Sequence, residues 1–254
     1  MGFLKHHSIP IAARFESGLS LTYALPAGVL SPMLMPGLEL DTYGGYAYLS
    51  IASVHTVELR PSFLPKAFGR SFCLTSYRLF TRFATIDGEK FRGLQTLRND
   101  TDLASMVVWG NRLTRFRYRR ADIEYREQDR LLSLDVKTAG EEADLALKAD
   151  TAGFSELLPE GSPFPDLATA RRFVGPLRFT FDYDPDAQSM VIVEGRRTNW
   201  MPRAVRVDVQ KNTFLESAPF RGVRPVLANA FYVTDVSYRW EPGRRVPIPR
   251  VIDP

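Results

Sequence analysis

The sequence predicts an α+β fold dominated by strands, with a mixed or antiparallel sheet curled into a barrel or sandwich and two or three flanking helices. Two observations predict it. Many short segments alternate apolar and polar residues with a period of two, and they are separated by Gly, Pro and Asp rather than by helices in a βαβ rhythm.

In chain order, segment 25–37 carries three prolines and two glycines, so no long helix passes through it. Tyr46 to Leu59 reads as a strand with Ala47, Leu49, Ile51, Ser53, His55 and Val57 on one face. Leu74 to Ile86 is a second strand. It ends at the Asp87-Gly88 turn and is followed by Phe91 to Arg98, a hairpin signature. Residues 99–102 supply capping side chains for a helix over Leu103 to Trp109, with Gly110 as its C-cap. Strands follow at Arg115 to Arg126, Leu131 to Lys137 and Ala143 to Ala149. Segment 157–165, dense in Pro and Gly, is a long connection inside one domain. A helix from Asp166 to Phe173 stops at Gly175-Pro176. Strands at Leu177 to Tyr183, Met190 to Glu194, Ala204 to Val209 and Ala230 to Tyr238 complete the chain. One domain is expected over residues 1–254, with 1–18 as a peripheral N-terminal segment.

The chain has 254 residues, 44% hydrophobic and 24% charged, enough to bury a full-sized core. Its apolar runs are too short for a membrane helix. Of the 33 basic residues 27 are Arg, and Lys occurs only at positions 5, 66, 90, 137, 148 and 211. Arg is a planar fork for carboxylates and phosphates, whereas Lys is the imine-forming side chain with a tunable pKa. The single cysteine, Cys73, excludes an internal disulfide and reads as a small buried apolar residue. Of the histidines His6, His7 and His55, the first two fall in an N-terminal segment expected to be mobile, and no metal-ligand spacing emerges. No metal and no cofactor are expected. The first thirteen residues lack a signal-peptide apolar region, so a cytoplasmic location is expected.

Charge is most concentrated at Arg112, Arg115, Arg117, Arg119 and Arg120, interleaved with Phe116 and Tyr118. On a strand this pattern describes a solvated face over a core face, with Asp122, Glu124 and Glu127 to neutralise it. An inward anion site is the second reading and a nucleic-acid surface the third. Net charge of +4 is mild for a nucleic-acid binder, so nucleic acid is not the expected partner. Arg78 and Arg82 share a strand face with Leu74 and Phe80, where a guanidinium needs an acid or a bound anion to offset its burial. No nucleophile elbow and no P-loop occurs.

Several runs carry a resemblance: Leu25 through Ser50; Tyr77-Arg78 with Phe80, Asp87-Gly88 and Gly93; Leu103 through Gly110; Arg119-Arg120-Ala121; and Phe231 through Gly243. Together they resemble the uncharacterised YqjF-like branch of the acetoacetate decarboxylase-like superfamily, from about residue 20 to 245. The resemblance implies a partly closed β-barrel or cone with flanking helices around a central cavity. In decarboxylase members a Lys after the helix forms a Schiff base with a keto acid. The matching stretch here reads Trp109-Gly110-Asn111-Arg112, with no Lys between Lys90 and Lys137, and the acid expected after Tyr77 is replaced by Arg78. Guanidinium is not a nucleophile, so acetoacetate decarboxylation is not expected.

The leading expectation is therefore a protein that holds a small anionic, carboxylate or keto-acid-like metabolite in a central cavity. Arg78 and Arg112 are its clamps, Asn111 orients the ligand, and Phe80 and Trp109 line the site. A second is a lyase, isomerase or hydrolase without an imine, using Glu194, Glu39 or Glu58 as general base with a raised pKa. A third is a regulatory or nucleic-acid module using the Arg112–Arg120 segment. Trp200 and Pro202 read as packing residues; Asn229 and Tyr232 read equally as cavity groups or as ties for the chain end. A homodimer is the expected assembly.

Overall fold

The structure, a computed structural model, describes residues 7–154, 156–175 and 177–248. Its strands are β1 (Ile11–Pro26), β2 (Leu38–Leu40), β3 (Thr42–Tyr43), β4 (Tyr46–Pro61), β5 (Arg70–Ala84), β6 (Lys90–Thr101), β7 (Tyr118–Gln128), β8 (Leu131–Thr138), β9 (Leu145–Phe154), β10 (Phe179–Asp184), β11 (Ser189–Thr198), β12 (Arg203–Asn212), β13 (Val226–Trp240) and β14 (Arg244–Pro247). Helices α1 (Ala27–Leu30), α2 (Ala104–Leu113), α3 (Leu167–Val174) and α4 (Thr213–Glu216) complete it. Among the described residues no helix is long and apolar enough to cross a membrane.

The fold is one wall closed by two covers. The wall is β13-β1-β4-β5-β6, antiparallel throughout. Its free edges are shared. The end of β6 runs parallel to β7, and β7-β8-β9-β12 return to β13. The middle of β6 runs parallel to β10, and β11 returns to the far end of β13. The first cover closes a ring of nine strands and the second a ring of seven, both using the wall.

Side-chain alternation assigns each wall face to one cover. Leu19, Leu21, Tyr23, Leu49, Ile51, Tyr77 and Leu79 pack with Leu132, Leu134, Val136, Leu145 and Leu147 under the first cover. Ala24, Tyr48, Phe80 and Phe231 look the other way and pack with Phe164 and Ala170. Each Leu, Ile or Phe among them contributes about 1.5–3 kcal/mol by leaving water. The connection 157–165 belongs to this second layer, with Phe164 stacked on Tyr48 at 5.2 Å between ring centroids.

Several expectations need correction. Residues 11–18, read as peripheral, form the first half of a 16-residue strand bonded on both sides, by β4 and by β13. His7 is 8% exposed, its amide donating to the Leu113 carbonyl and its carbonyl accepting from Gly243; His6 lies outside the described residues. Gly110 is inside α2, which ends at Thr114, and a Cβ there would stand 2.5 Å from the Tyr118 ring. Asn99 to Thr101 stay in β6, and Asp102 accepts from the Cys73 amide rather than capping the helix. Asp166 does cap α3, accepting from the Thr169 amide.

Candidate functional site

Inside the seven-stranded ring the wall presents a row of polar residues at one level. Asn229 on β13 is opposite Thr22 on β1, Thr22 opposite Ser50 on β4, Ser50 opposite Arg78 on β5, and Arg78 opposite Thr96 on β6. The Ser20 hydroxyl adds to it, 3.0 Å from that of Ser50. One step along the strands the row turns apolar: Ala24 faces Tyr48, Phe80 faces Leu94, and the Tyr48 and Phe80 rings are in edge contact at 6.4 Å. The polar row therefore stands on an aromatic floor.

Two members of the row hold unused hydrogen-bonding capacity. Asn229 is 1% exposed, and among the described residues neither its Nδ2 nor its Oδ1 has a partner. The Arg78 Nε is likewise enclosed without one. Burial pushes the Arg78 guanidinium down to about 10; the Tyr238 phenol opposes that shift and the Arg197 guanidinium adds to it. Buried polar groups without partners cost about 1–3 kcal/mol each, so these three atoms are an expense that hydrogen bonds to a ligand would remove.

Arg197 and Tyr238 face each other in register across β11 and β13, with the guanidinium 5.0 Å from the phenol ring and 5.3 Å from the Trp200 ring. Arg197 also donates to the Leu177 carbonyl. Both residues line a surface groove of about 300 Å³ that Ala13, Glu58 and Arg60 help to form at the strand ends. On β10, Asp182 follows directly after the Gln95–Phe181 pairing, which by alternation puts it on the side of Thr96. It is 5% exposed, and burial pushes its carboxyl up to about 6, against the Tyr183 amide and the charges of Arg115 and Arg117.

The structure separates the residues singled out from sequence. Arg78 and Phe80 are in the row and its floor. Arg112 is exposed on the last turn of α2 and Trp109 is 59% exposed, so neither shares the enclosure. The Asn111 amide is spent on the Tyr118 backbone, donating to its carbonyl and accepting from its N–H, both at 2.8 Å. Glu39 is exposed on β2. Glu58 pairs with Lys66 at 3.4 Å and with Arg60 at 3.9 Å. Glu194 accepts from Arg178 and Arg196, which hold its carboxyl below the ordinary range, the reverse of a general base with a raised pKa. Arg82 meets Asp41, an acid with no exposed surface that also binds Arg92.

The arginine-rich run is neutralised locally, Arg115 by Asp184 and Asp186 and Arg119 by Glu142. Tyr232 belongs to the other ring, where its hydroxyl donates to Glu127 at 2.6 Å. Burial pushes the Cys73 thiol up to about 12, as for a core cysteine. Among the described residues no group of three or more His, Cys, Asp or Glu converges on a metal position. Sequence reasoning passed over Asp182, Arg197 and Tyr238. Asp182 did leave a signal, as an acid that, like Asp184, alternates with the aromatic Phe179, Phe181 and Tyr183.

The model of the DUF2071 family, uncharacterized conserved proteins, matches residues 12–236. The chain belongs to that family. No curated protein matches this DUF2071 member. Among solved structures it is similar to an acetoacetate decarboxylase from Legionella pneumophila, with TM-score 0.62, 10% identity, and coverage of 95% of this chain and 89% of that one. It is also similar to an acetoacetate decarboxylase-like enzyme from Sphingomonas wittichii, with TM-score 0.61, 12% identity and coverage of 96% and 94%. A third is the enduracididine biosynthesis enzyme MppR complexed with pyruvate, with TM-score 0.58, 12% identity and coverage of 95% and 91%. The DUF2071 chain thus has the acetoacetate decarboxylase-like fold.

Proposed function

We propose that this DUF2071 protein binds a small carboxylate or keto acid within the seven-stranded ring, with Arg78 as the clamp and Asn229 as the orienting amide, and without an imine. The observation that carries it is the pairing, in one polar row, of a half-buried guanidinium whose enclosed Nε has no partner among the described residues and a buried amide whose Nδ2 and Oδ1 have none either. A carboxylate accepts from Arg78 in a charge-assisted bond, and a neighbouring carbonyl or hydroxyl takes the amide. That the related MppR structure holds pyruvate supports the ligand class. Lys66, Lys90, Lys137, Lys148 and Lys211 are all exposed, which supports a reading without an imine.

The test is calorimetric titration with pyruvate, longer keto acids and dicarboxylates. Binding by wild type and its loss in Arg78→Ala, with Arg112→Ala unchanged, supports the reading. Failure of the whole panel to bind wild type overturns it.

Asp182 favours a second reading, an imine-free lyase or isomerase. A carboxyl pushed up to about 6 on the side of Thr96 is a competent general base, and Arg78 would stabilise the enolate oxygen. Exchange of solvent deuterium into the carbon next to the keto group of a bound keto acid (C3 of pyruvate), abolished by Asp182→Asn with binding intact, is its expected signature. Absence of exchange from wild type removes it.

A further inference from the structure

We infer that the ligand is a dianion, a dicarboxylate of the keto-acid class, with one carboxylate on Arg78 and the second on Arg197 at the floor of the surface groove. The inference rests on the binding site proposed above and names its substrate class more narrowly.

Arg197 is not part of the polar row. It belongs to β11, across the ring from Arg78, and it lines the groove together with Tyr238. Its side chain is held by the Leu177 carbonyl and by the flanking rings of Tyr238 and Trp200. These contacts fix the guanidinium plane without neutralising it. Neutral neighbours orient a cation, and only an anion offsets its charge.

The charges around the two arginines point the same way. Among the described residues neither guanidinium has a carboxylate for a neighbour: the Arg197 guanidinium and the Tyr238 phenol are the side chains acting on Arg78, and the Tyr238 phenol is the one acting on Arg197. Elsewhere in this chain buried or crowded arginines do have one: Arg82 and Arg92 share Asp41, Arg98 binds Asp100, Arg115 binds Asp184. The groove cations other than Arg197 are also matched, Arg14 by Asp235, Arg60 and Lys66 by Glu58, Arg196 and Arg239 by Glu241. Arg78 and Arg197 thus form an uncompensated pair of positive charges that repel one another.

A monocarboxylate neutralises one of the two. A dicarboxylate neutralises both and removes the repulsion, with the Tyr238 hydroxyl beside Arg197 as a further donor. The groove gives the second carboxylate a wet approach, and the aromatic floor of Tyr48 and Phe80 seals the opposite end of the row.

The test compares wild-type affinities for pyruvate and propionate with those for oxaloacetate, 2-oxoglutarate and succinate, by calorimetry at low and at moderate salt. Dicarboxylates are expected to bind at least about tenfold tighter, as one further charge-assisted contact provides, and the ratio shrinks with added salt. In Arg197→Gln the preference falls to within about twofold while pyruvate affinity is retained; Arg197→Lys, which keeps the charge, restores part of it. Equal affinity of wild type for mono- and dicarboxylates overturns the inference and leaves the site proposal standing, because pyruvate still binds through Arg78. A dicarboxylate preference that survives in folded Arg197→Gln also overturns it. If neither class binds wild type, both proposals fall together.

Discussion

The Tyr238 hydroxyl fills the space that a side chain at Gly195 would need, so the one glycine in the middle of β11 is what lets the phenol lie against the sheet beside Arg197. In Gly195→Ala the backbone cannot give way and the ring must. The expected result is a loss of carboxylate affinity of about 3- to 10-fold and a stability cost of about 1–3 kcal/mol, typical of overfilling a packed site. The double variant Gly195→Ala, Tyr238→Leu, which removes the hydroxyl together with the ring carbons Cζ and Cε1 that also crowd the new Cβ, regains part of the stability and none of the affinity. Thermal melts read alongside titrations separate the two effects.

Asn111 and Arg112 were expected to hold the ligand, but the Asn111 amide is engaged by the Tyr118 backbone and Arg112 is exposed. Asn111→Ala strips the Tyr118 N–H and carbonyl of their partners, so it is expected to cost about 1–3 kcal/mol without changing ligand affinity. Arg112→Ala, on an exposed helix turn, is expected to change stability by less than about 0.5 kcal/mol and affinity not at all. A fall in affinity in Arg112→Ala would restore it as a ligand clamp.

Strands with clean alternation and a turn signal were legible from sequence, as at Tyr46–Leu59 and in the Asp87-Gly88 hairpin. The most central strand was not. In β1 the alternation of Leu19, Leu21, Tyr23 and Leu25 is plain, but the first half contains Arg14, Glu16 and register shifts at Ala12/Arg14 and Phe15/Ser17 that break the period. The site divides in the same way. Arg78 was visible because a charge on an apolar strand face demands a partner. Arg197 and Tyr238 are brought together only by the pairing of β11 with β13, a long-range pairing that no local pattern encodes.

Asp182 makes stability depend on pH with a definite sign. Its folded pKa of about 6 lies above the ordinary 3.8, so the folded protein holds a proton that the unfolded chain releases between those values. Stability from this group is therefore retained below about pH 4, declines as pH rises through 4 to 6, and is at its lowest above 6, a swing of about 3 kcal/mol at most. Asp182→Asn is expected to raise the melting temperature at pH 7 to 8 and to match wild type near pH 4. A variant less stable than wild type at pH 8 would contradict it.

His7 pulls the opposite way across nearly the same window. Burial pushes its imidazole down to about 4 despite the hydrogen bond to the Trp240 backbone, and its Nε2 has no partner. Its folded pKa lies below the ordinary 6.5, so the neutral ring contributes stability that is complete above 6.5 and is lost as pH falls toward 4, about 3 kcal/mol over the full interval. Because Asp182 gains what His7 loses, the wild-type curve between pH 4 and 6.5 is expected to be shallower than either group alone would make it, and only difference curves resolve them. His7→Phe, which keeps a ring beside Phe116, should lose part of the stability at pH 7.5 yet cross above wild type as pH falls toward 4. Guanidinium unfolding of wild type, His7→Phe and Asp182→Asn at half-unit pH steps gives both differences. A His7→Phe difference that stays constant from pH 7.5 to 4 would show that the imidazole does not titrate on unfolding.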